Sequence, residues 1–439
     1  MFAEQVNWRE RMNYLCAFCG PYVAIVQLIP CDRLKNETTV PRPSLFKRFI
    51  TTTFLADSMQ TDVKKSAMRL AVSAFYFCQG LCFASWASRI PDIKTKLQLS
   101  EGALGSILLA LPIGQLLMMP VSGRLVTKYG SRAVLSVAFL LYALELTNIG
   151  WANQPWQLAL ALFFFGVFGN LCNIAVNTQG VLAEKIYERP IMASFHGAWS
   201  IAGFTGALIG LLMMNIQLPP RTHFFIVISF VLLIAFIARD YLIPGTTIGT
   251  EKKKFFSKPD SVLLQLGLIA FCCMAAEGTM FDWSGVYFKE IVKAPAALVT
   301  TGYASFMIMM ATGRFTADRI IGRIGRKKML QASGIMISTG LLISVLFPYL
   351  VTAIIGFLIV GFGVSSVVPT IYSTAAGASK LSPGRAIAAV SSVSFLGFLL
   401  GPPLIGYIAQ LTSLRYSFAV IALLGFCITI MVSKLKVMG

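Results

Sequence analysis

Four ionisable side chains fall inside apolar runs of this chain: Glu145, His196, Glu277 and Asp282. A charge in hydrocarbon is costly, so residues of this kind face a bundle interior and carry ions or bind solutes. A carboxyl that meets water first from one side and then from the other can take up a proton and release it. Glu277 and Asp282 are the proton-coupling candidates on that reasoning. His196 is a third, because imidazole titrates near neutrality. Glu277 and Asp282 stand five residues apart, about 140° around a regular helix. They share a face only if the helix unwinds, and Gly278 and Gly285 favour a break there. Glu145 has no evident mate, and no role is assigned to it.

The neutral polar residues suggest a ligand. Asn170, Asn173 and Asn177 fall at i, i+3 and i+7, on one helical face. Amides turned to lipid are expensive, so this face meets a cavity or another helix. Tyr76, Gln79, Phe83 and Trp86 form a second face, at i, i+3, i+7 and i+10. Trp283 is the counterpart of Trp86 later in the chain. Aromatic rings beside amides suit a sugar-like solute, whose C–H face packs on a ring while its hydroxyls meet the amides. Ordinary helix packing is the other reading of both faces. No G-x-x-x-x-G-K-[ST] phosphate loop is present. No nucleophile triad or complete metal-ligand spacing stands out, since Cys16 and Cys19 lack a second pair. The expectation is a chain that is not an enzyme and uses no metal and no cofactor.

These residues need elements to hold them. The 439 residues are 56% hydrophobic and 13% charged, against about 25% charged in soluble domains. In water such a composition exposes large apolar patches, so the lipid bilayer is its solvent. The net charge of +19 is scattered over short loops. That pattern fits membrane sidedness better than nucleic-acid binding. Apolar runs near 69–89, 103–124, 133–151, 157–182, 193–214 and 222–243 predict six spans. Runs near 262–288, 295–316, 329–348, 351–376, 386–409 and 416–434 predict six more. The fold class is an all-α membrane protein with twelve transmembrane helices in two six-helix pseudo-symmetric halves, 65–243 and 261–439. A basic cytoplasmic linker, 244–260, joins them. Residues 1–64 do not match the rest. Their apolar stretch, Tyr14–Ile29, is about 16 residues long, short of the roughly 20 that span a bilayer. The expectation is a poorly structured or mis-started extension.

Two related basic stretches punctuate the halves: GRLVTKYGSR at Gly123–Arg132 and GRFTADRIIGRIGRKK at Gly313–Lys328. Each reads as a short loop between spans, with glycines permitting a tight reversal. Most other Lys and Arg of the core fall on the same side, which makes it cytoplasmic and puts the C-terminus there too. Further echoes link the halves. Ser194-Phe195-x-Gly197 returns as Ser394-Phe395-x-Gly397, and Leu208-Ile209-Gly210 as Leu404-Ile405-Gly406. The order and offset support a six-plus-six repeat.

With the duplicated G-x-x-x-D-x-x-G-R-K/R type of stretch, the chain resembles the major facilitator superfamily. The second copy keeps Gly313, Asp318, Gly325, Arg326 and Lys327. The first keeps Gly123, Gly130 and Arg132, with Thr127 at the usual Asp position. The strings SWASRIP, NIAVN, RPIMASFHGAWS, EGTMFDWSGVY and GPPLIG are similar to the fucose-permease-like branch, in particular inner-membrane proteins of the YbjJ type. That branch often carries an acid where this chain has Asn173. The resemblance implies a secondary active transporter, a monomer that moves a small polar solute across the inner membrane by alternating access with protons. It also implies a gating role for Gly123, Gly130, Arg132, Gly313, Arg314, Asp318, Gly325 and Arg326. An efflux pump of the same fold and a transport-inactive sensor or scaffold are the alternatives.

Overall fold

A run of some twenty apolar residues can satisfy its own backbone N–H and C=O groups in hydrocarbon only as a helix. The computed structural model describes residues 44–188, 191–244, 261–378 and 383–435, and its regular elements are helical. Tyr14–Ile29 and most of the expected linker lie outside the described residues. The chain divides into two compact units, Met1–Thr61 and Asp62–Gly439. Residues 44–61 of the first are helical.

The second unit holds twelve helices long and apolar enough to cross a membrane, counted among the described residues. They are α1 (Lys65–Lys96), α2 (Glu101–Tyr129), α3 (Ser131–Trp151), α4 (Pro155–Tyr187), α5 (Ser194–Asn215) and α6 (Pro220–Tyr241). Then follow α7 (Ser261–Glu290), α8 (Ala296–Ala317), α9 (Arg326–Leu346), α10 (Leu350–Ala375), α11 (Ala389–Leu411) and α12 (Leu414–Lys434). Helix α4 packs on α2 and α3, and α3 on α6. The same pairings return six spans later, with α10 on α8 and α9 and α9 on α12. Contacts of α5 with α8 and of α2 with α11 tie the two sets together.

The two basic stretches are not loops along their length. The helix of α8 runs on to Ile324, and that of α2 to Tyr129. Arg and Lys are good helix formers, and cations near a helix C-terminus are favoured by its dipole. The chain therefore stays helical until a glycine stops it. Gly130 (φ 80°, ψ 148°) and Gly325 (φ 82°, ψ 159°) do so in a backbone region that is essentially glycine's own. Each turn is a single residue, and α3 and α9 start at the next one.

Helix α7 is also unbroken, from Ser261 to Glu290. Gly278 and Gly285 serve close approach and not a break. A Cβ at Gly285 would lie 2.8 Å from Pro91 Cγ of α1, and one at Gly278 3.3 Å from the Phe398 ring of α11. Glu277 and Asp282 consequently stay on different faces.

The ends opposite the basic stretches are held together by polar contacts. Lys94 of α1 bonds both Glu290 of α7 and Glu101 of α2, the latter at 3.2 Å. Lys289 donates to Thr95 Oγ1 at 2.6 Å. Between α2 and α11, the Gly102 amide donates to Gln410 Oε1 at 3.0 Å, and the Ser106 and Tyr407 hydroxyls meet at 2.8 Å.

Candidate functional site

A cavity of about 580 Å³ lies between α5, α7, α8, α9 and α10. It runs from Glu277, midway along α7, to Arg326 at the start of α9, so its mouth is on the side of the basic stretches. His196, Arg314, Thr370 and Tyr372 line it as well. His196 and Arg326 are exposed to this space.

Arg314 organises the wall. Its place in a helix and not a loop turns it toward α7 and α5. Nη2 lies 3.4 Å from Glu277 Oε1, forming an ion pair, and Nη1 donates to Ser200 Oγ at 2.7 Å. The guanidinium sits 5.9 Å from the Trp199 ring, within cation–π range. The Glu277 side chain is 11% exposed and that of Arg314 22%. Sequence reasoning read Arg314 as a gating residue in a basic loop and did not pair it with Glu277. Partners 37 positions apart leave no local spacing to read.

A second polar group sits where α1 meets α4. Tyr76 OH donates to Asn177 Oδ1 at 2.8 Å, and Asn177 Nδ2 donates to the Asn173 side-chain and backbone oxygens at 2.8 and 2.7 Å. Tyr76 stacks on Phe195 and meets the edge of His196 at 5.3 Å. Asn173 is exposed, whereas Asn170 is buried and accepts from Ser122 Oγ of α2 at 2.8 Å. The amide face thus divides, with Asn170 spent on helix packing. Gln79 donates to the Gly169 carbonyl at 3.2 Å.

Above Glu277 the aromatic side chains close ranks. Phe281 meets the rings of Phe83, Trp199, Tyr303, Phe306 and Phe398 at 5.4 to 6.5 Å. These come from α1, α5, α8 and α11. Phe281 is 5% exposed; the sequence marks it as the repeat counterpart of Phe83 but not as a meeting point of helices. Trp86 and Trp283 are fully buried, and their indole N–H groups have no hydrogen-bond partner among the described residues. Neither lines the cavity. Asp282, 8% exposed, lies beyond Phe281, toward the end closed by Lys94.

The remaining candidates lie apart. Glu145 is half-buried and accepts from Asn148 Nδ2 at 3.0 Å, one turn along α3. Arg132 pairs with Asp240 at 3.3 Å, an exposed contact. Thr127 donates to the Gly123 carbonyl of its own helix at 2.8 Å, so it makes no cross-helix charge contact. Asp318 is in the helical extension of α8, with its side chain outside the described set. Gly313 packs against Ser365 of α10. His223 and Arg89, which stand at the ends of the predicted sixth and first spans, are buried, and Arg89 Nε donates to His223 Nδ1 at 3.1 Å. Among the described residues no three His, Cys, Asp or Glu side chains gather as a metal site.

Twelve apolar helices around a cavity that opens to one side and carries a buried ion pair in its wall define a multi-pass membrane transporter. Residues 70–383 match the Major Facilitator Superfamily, and the chain belongs to it. An uncharacterized MFS-type transporter of Yersinia pestis is 32% identical over 372 residues, covering 83% of this chain and 97% of the relative. An uncharacterized transporter of Sinorhizobium fredii is 31% identical, covering 83% and 97%. The fold is similar to that of the nucleoside transporter NupG, with a TM-score of 0.67, 13% identity and coverage of 84% and 100%. It is also similar to a bacterial homologue of the human lysosomal transporter Spinster in an inward-facing and occupied conformation. There the TM-score is 0.65, with 14% identity and coverage of 83% and 95%.

Proposed function

We propose that this protein is a proton-coupled secondary transporter of a small polar solute, of the fucose-permease-like branch, working as a monomer in the cytoplasmic membrane. Its halves, 65–243 and 261–439, rock about the cavity so that it opens to one side at a time. The mouth beside Arg326 faces the cytoplasm on this reading, and the Lys94 contacts close the outer side. Asn173, Asn177 and Tyr76 supply neutral hydrogen bonds, and Glu277 carries the proton.

The observation that carries this reading is the Glu277–Arg314 pair in the cavity wall. A carboxylate almost out of water and held by one cation can change its charge when a solute or a change of access disturbs that cation. The test begins with a thermal-shift screen on purified protein, because a bound solute raises apparent stability. In proteoliposomes the selected solute accumulates against its gradient when a proton gradient is imposed. Glu277→Gln abolishes that accumulation and keeps solute exchange. Unchanged accumulation in the variant removes Glu277 from the mechanism. Accumulation only on proton exit indicates efflux, and no movement of any stabilising solute indicates a transport-inactive protein.

A further inference from the structure

The lining of the cavity carries more positive than negative charge. Arg314 and Arg326 face it, and Glu277 is the single acidic side chain lining it among the described residues. A guanidinium has five N–H donors in a planar fork that matches a carboxylate. Arg314 engages two protein oxygens, and its remaining N–H groups have no hydrogen-bond partner among the described residues. Its contact with Glu277, at 3.4 Å, is long for a charge-assisted hydrogen bond, which runs near 2.8 Å. Arg314 is therefore anchored on Ser200 but only loosely paired with Glu277, has donor capacity left and borders open space. Thr370, Tyr372 and Ser373 add hydroxyls to the same wall.

Resting on the transport reading above, we propose that the solute is a small polyhydroxy carboxylate, whose anionic group takes Arg314 away from Glu277. A neutral hydroxyl competes poorly with a carboxylate for a guanidinium, because charge-assisted bonds are about twice as strong. A solute carboxylate competes on equal terms and can also use the donors that Glu277 leaves idle. Once Arg314 turns to the solute, Glu277 is an unpaired buried charge, and a proton from solution relieves it. One proton enters with one monoanion, so the loaded protein gains no net charge. The groups facing Glu277 are Arg314 from α8, His196 from α5, Arg326 from α9 and Tyr372 from α10, with Cys273 one turn back on α7. Helix α11 presents no titratable side chain at this level.

The experiment compares matched probes on the purified full chain. Glycerate, gluconate, galactonate and glucuronate are set against glycerol, sorbitol, galactitol and glucose. The readouts are thermal shift and the change in tryptophan fluorescence that is lost in Trp199→Phe, since Trp199 lies beside Arg314. At least one anion binds, and its neutral counterpart does not. Binding weakens about tenfold per pH unit across the range where one proton is taken up. Arg314→Gln lowers the affinity at least tenfold, while Glu277→Gln, which removes the competing carboxylate, tightens binding at high pH and so flattens the pH profile. Should Glu277→Gln fail to fold, a pH indicator in weak buffer reports one proton taken up per anion bound by the unaltered protein. The proposal is overturned if no anion binds, if a neutral counterpart binds equally well, or if Arg314→Gln leaves the affinity unchanged. An anion that binds as described but is never accumulated in proteoliposomes sinks the transport reading instead. Accumulation of a neutral solute alone sinks this proposal and leaves transport standing.

Discussion

Arg314 of α8 places Nη2 3.4 Å from Oε1 of Glu277 on α7, with its guanidinium 5.9 Å from the Trp199 ring of α5. One cation thus joins three helices, two of them from the second set of six and one from the first. The contact is electrostatic and sits where the helices enclose a cavity, so it couples packing to whatever fills that space.

Removing one partner of a buried pair strands the other, at a cost of about 3–5 kcal/mol when both are fully enclosed. Arg314 is in part open to the cavity, so Arg314→Ala falls below that range. The double variant Arg314→Gln/Glu277→Gln is more stable than the sum of the two single changes predicts. A thermal-unfolding cycle in detergent reads the coupling directly. Additive losses would mean that the two side chains do not interact in the folded protein.

The glycine turns give a second contrast. Gly325 has φ 82°, whereas Gly322, three residues earlier, is helical with open space where a Cβ would go. Gly325→Ala is destabilising by about 1–2 kcal/mol, because an L side chain resists a left-handed backbone. Gly322→Ala is neutral or stabilising by up to about 1 kcal/mol, as alanine suits a helix better. Melting temperatures of the two variants should move in opposite directions, or Gly325 alone should move.

How far the sequence disclosed this architecture follows from the range of each interaction. Spans are legible because each must be a long apolar run, and the twelve helices lie close to the predicted positions. The basic stretches were misjudged because Lys and Arg mark a membrane side without marking a loop. Only Gly130 and Gly325 interrupt the helices there. Glycine was ambiguous in α7 for the same reason: Gly278 and Gly285 read as a break, and neighbouring helices use them for close contact. Periodicity put Asn170, Asn173 and Asn177 on one face but could not say that Ser122 would occupy the first of them. Pairings such as Arg314 with Glu277 or Arg89 with His223 depend on how helices meet, and no spacing along the chain encodes that.

The closed end yields a third prediction. Lys94, 11% exposed, bridges Glu101 and Glu290 and so joins α2 and α7 to α1. Such a partly buried bridge is worth about 1 kcal/mol, a factor of about five in a conformational equilibrium. Lys94→Met should raise thiol labelling of a cysteine placed at the buried Ala409, next to the α2–α11 contact, by about that factor. A labelling rate equal to that of the Ala409→Cys parent would show that Lys94 does not hold this end shut.

The two amides separate stability from binding. Asn170 bonds Ser122 across α2 and α4, where a polar contact contributes about 0.6 kcal/mol. Asn170→Ala lowers the melting temperature by a degree or two and leaves solute affinity alone. Asn177→Ala releases Tyr76, which touches the cavity-lining His196, and Asn173, and should weaken binding of any solute found in the thermal-shift screen severalfold with little loss of stability. The reverse pattern would exchange their roles.

Phe281 is the last test, because its ring is the point where α1, α5, α7, α8 and α11 converge. It lies between the cavity and the end closed by Lys94, so its bulk separates water on the two sides. Phe281→Ala costs about 3–5 kcal/mol as a large-to-small core change. Phe288, fully buried on the same helix and packed on Phe357 of α10, is the control, with a similar cost on truncation. The two variants differ in permeability. Proteoliposomes of Phe281→Ala should leak protons faster than those of the unaltered protein, read with an internal pH dye, while Phe288→Ala liposomes stay tight. Phe281→Leu, which keeps most of the volume, should recover both stability and seal. Equal tightness of Phe281→Ala and Phe288→Ala liposomes would mean that the barrier is made elsewhere, by the polar contacts around Lys94 and Gln410.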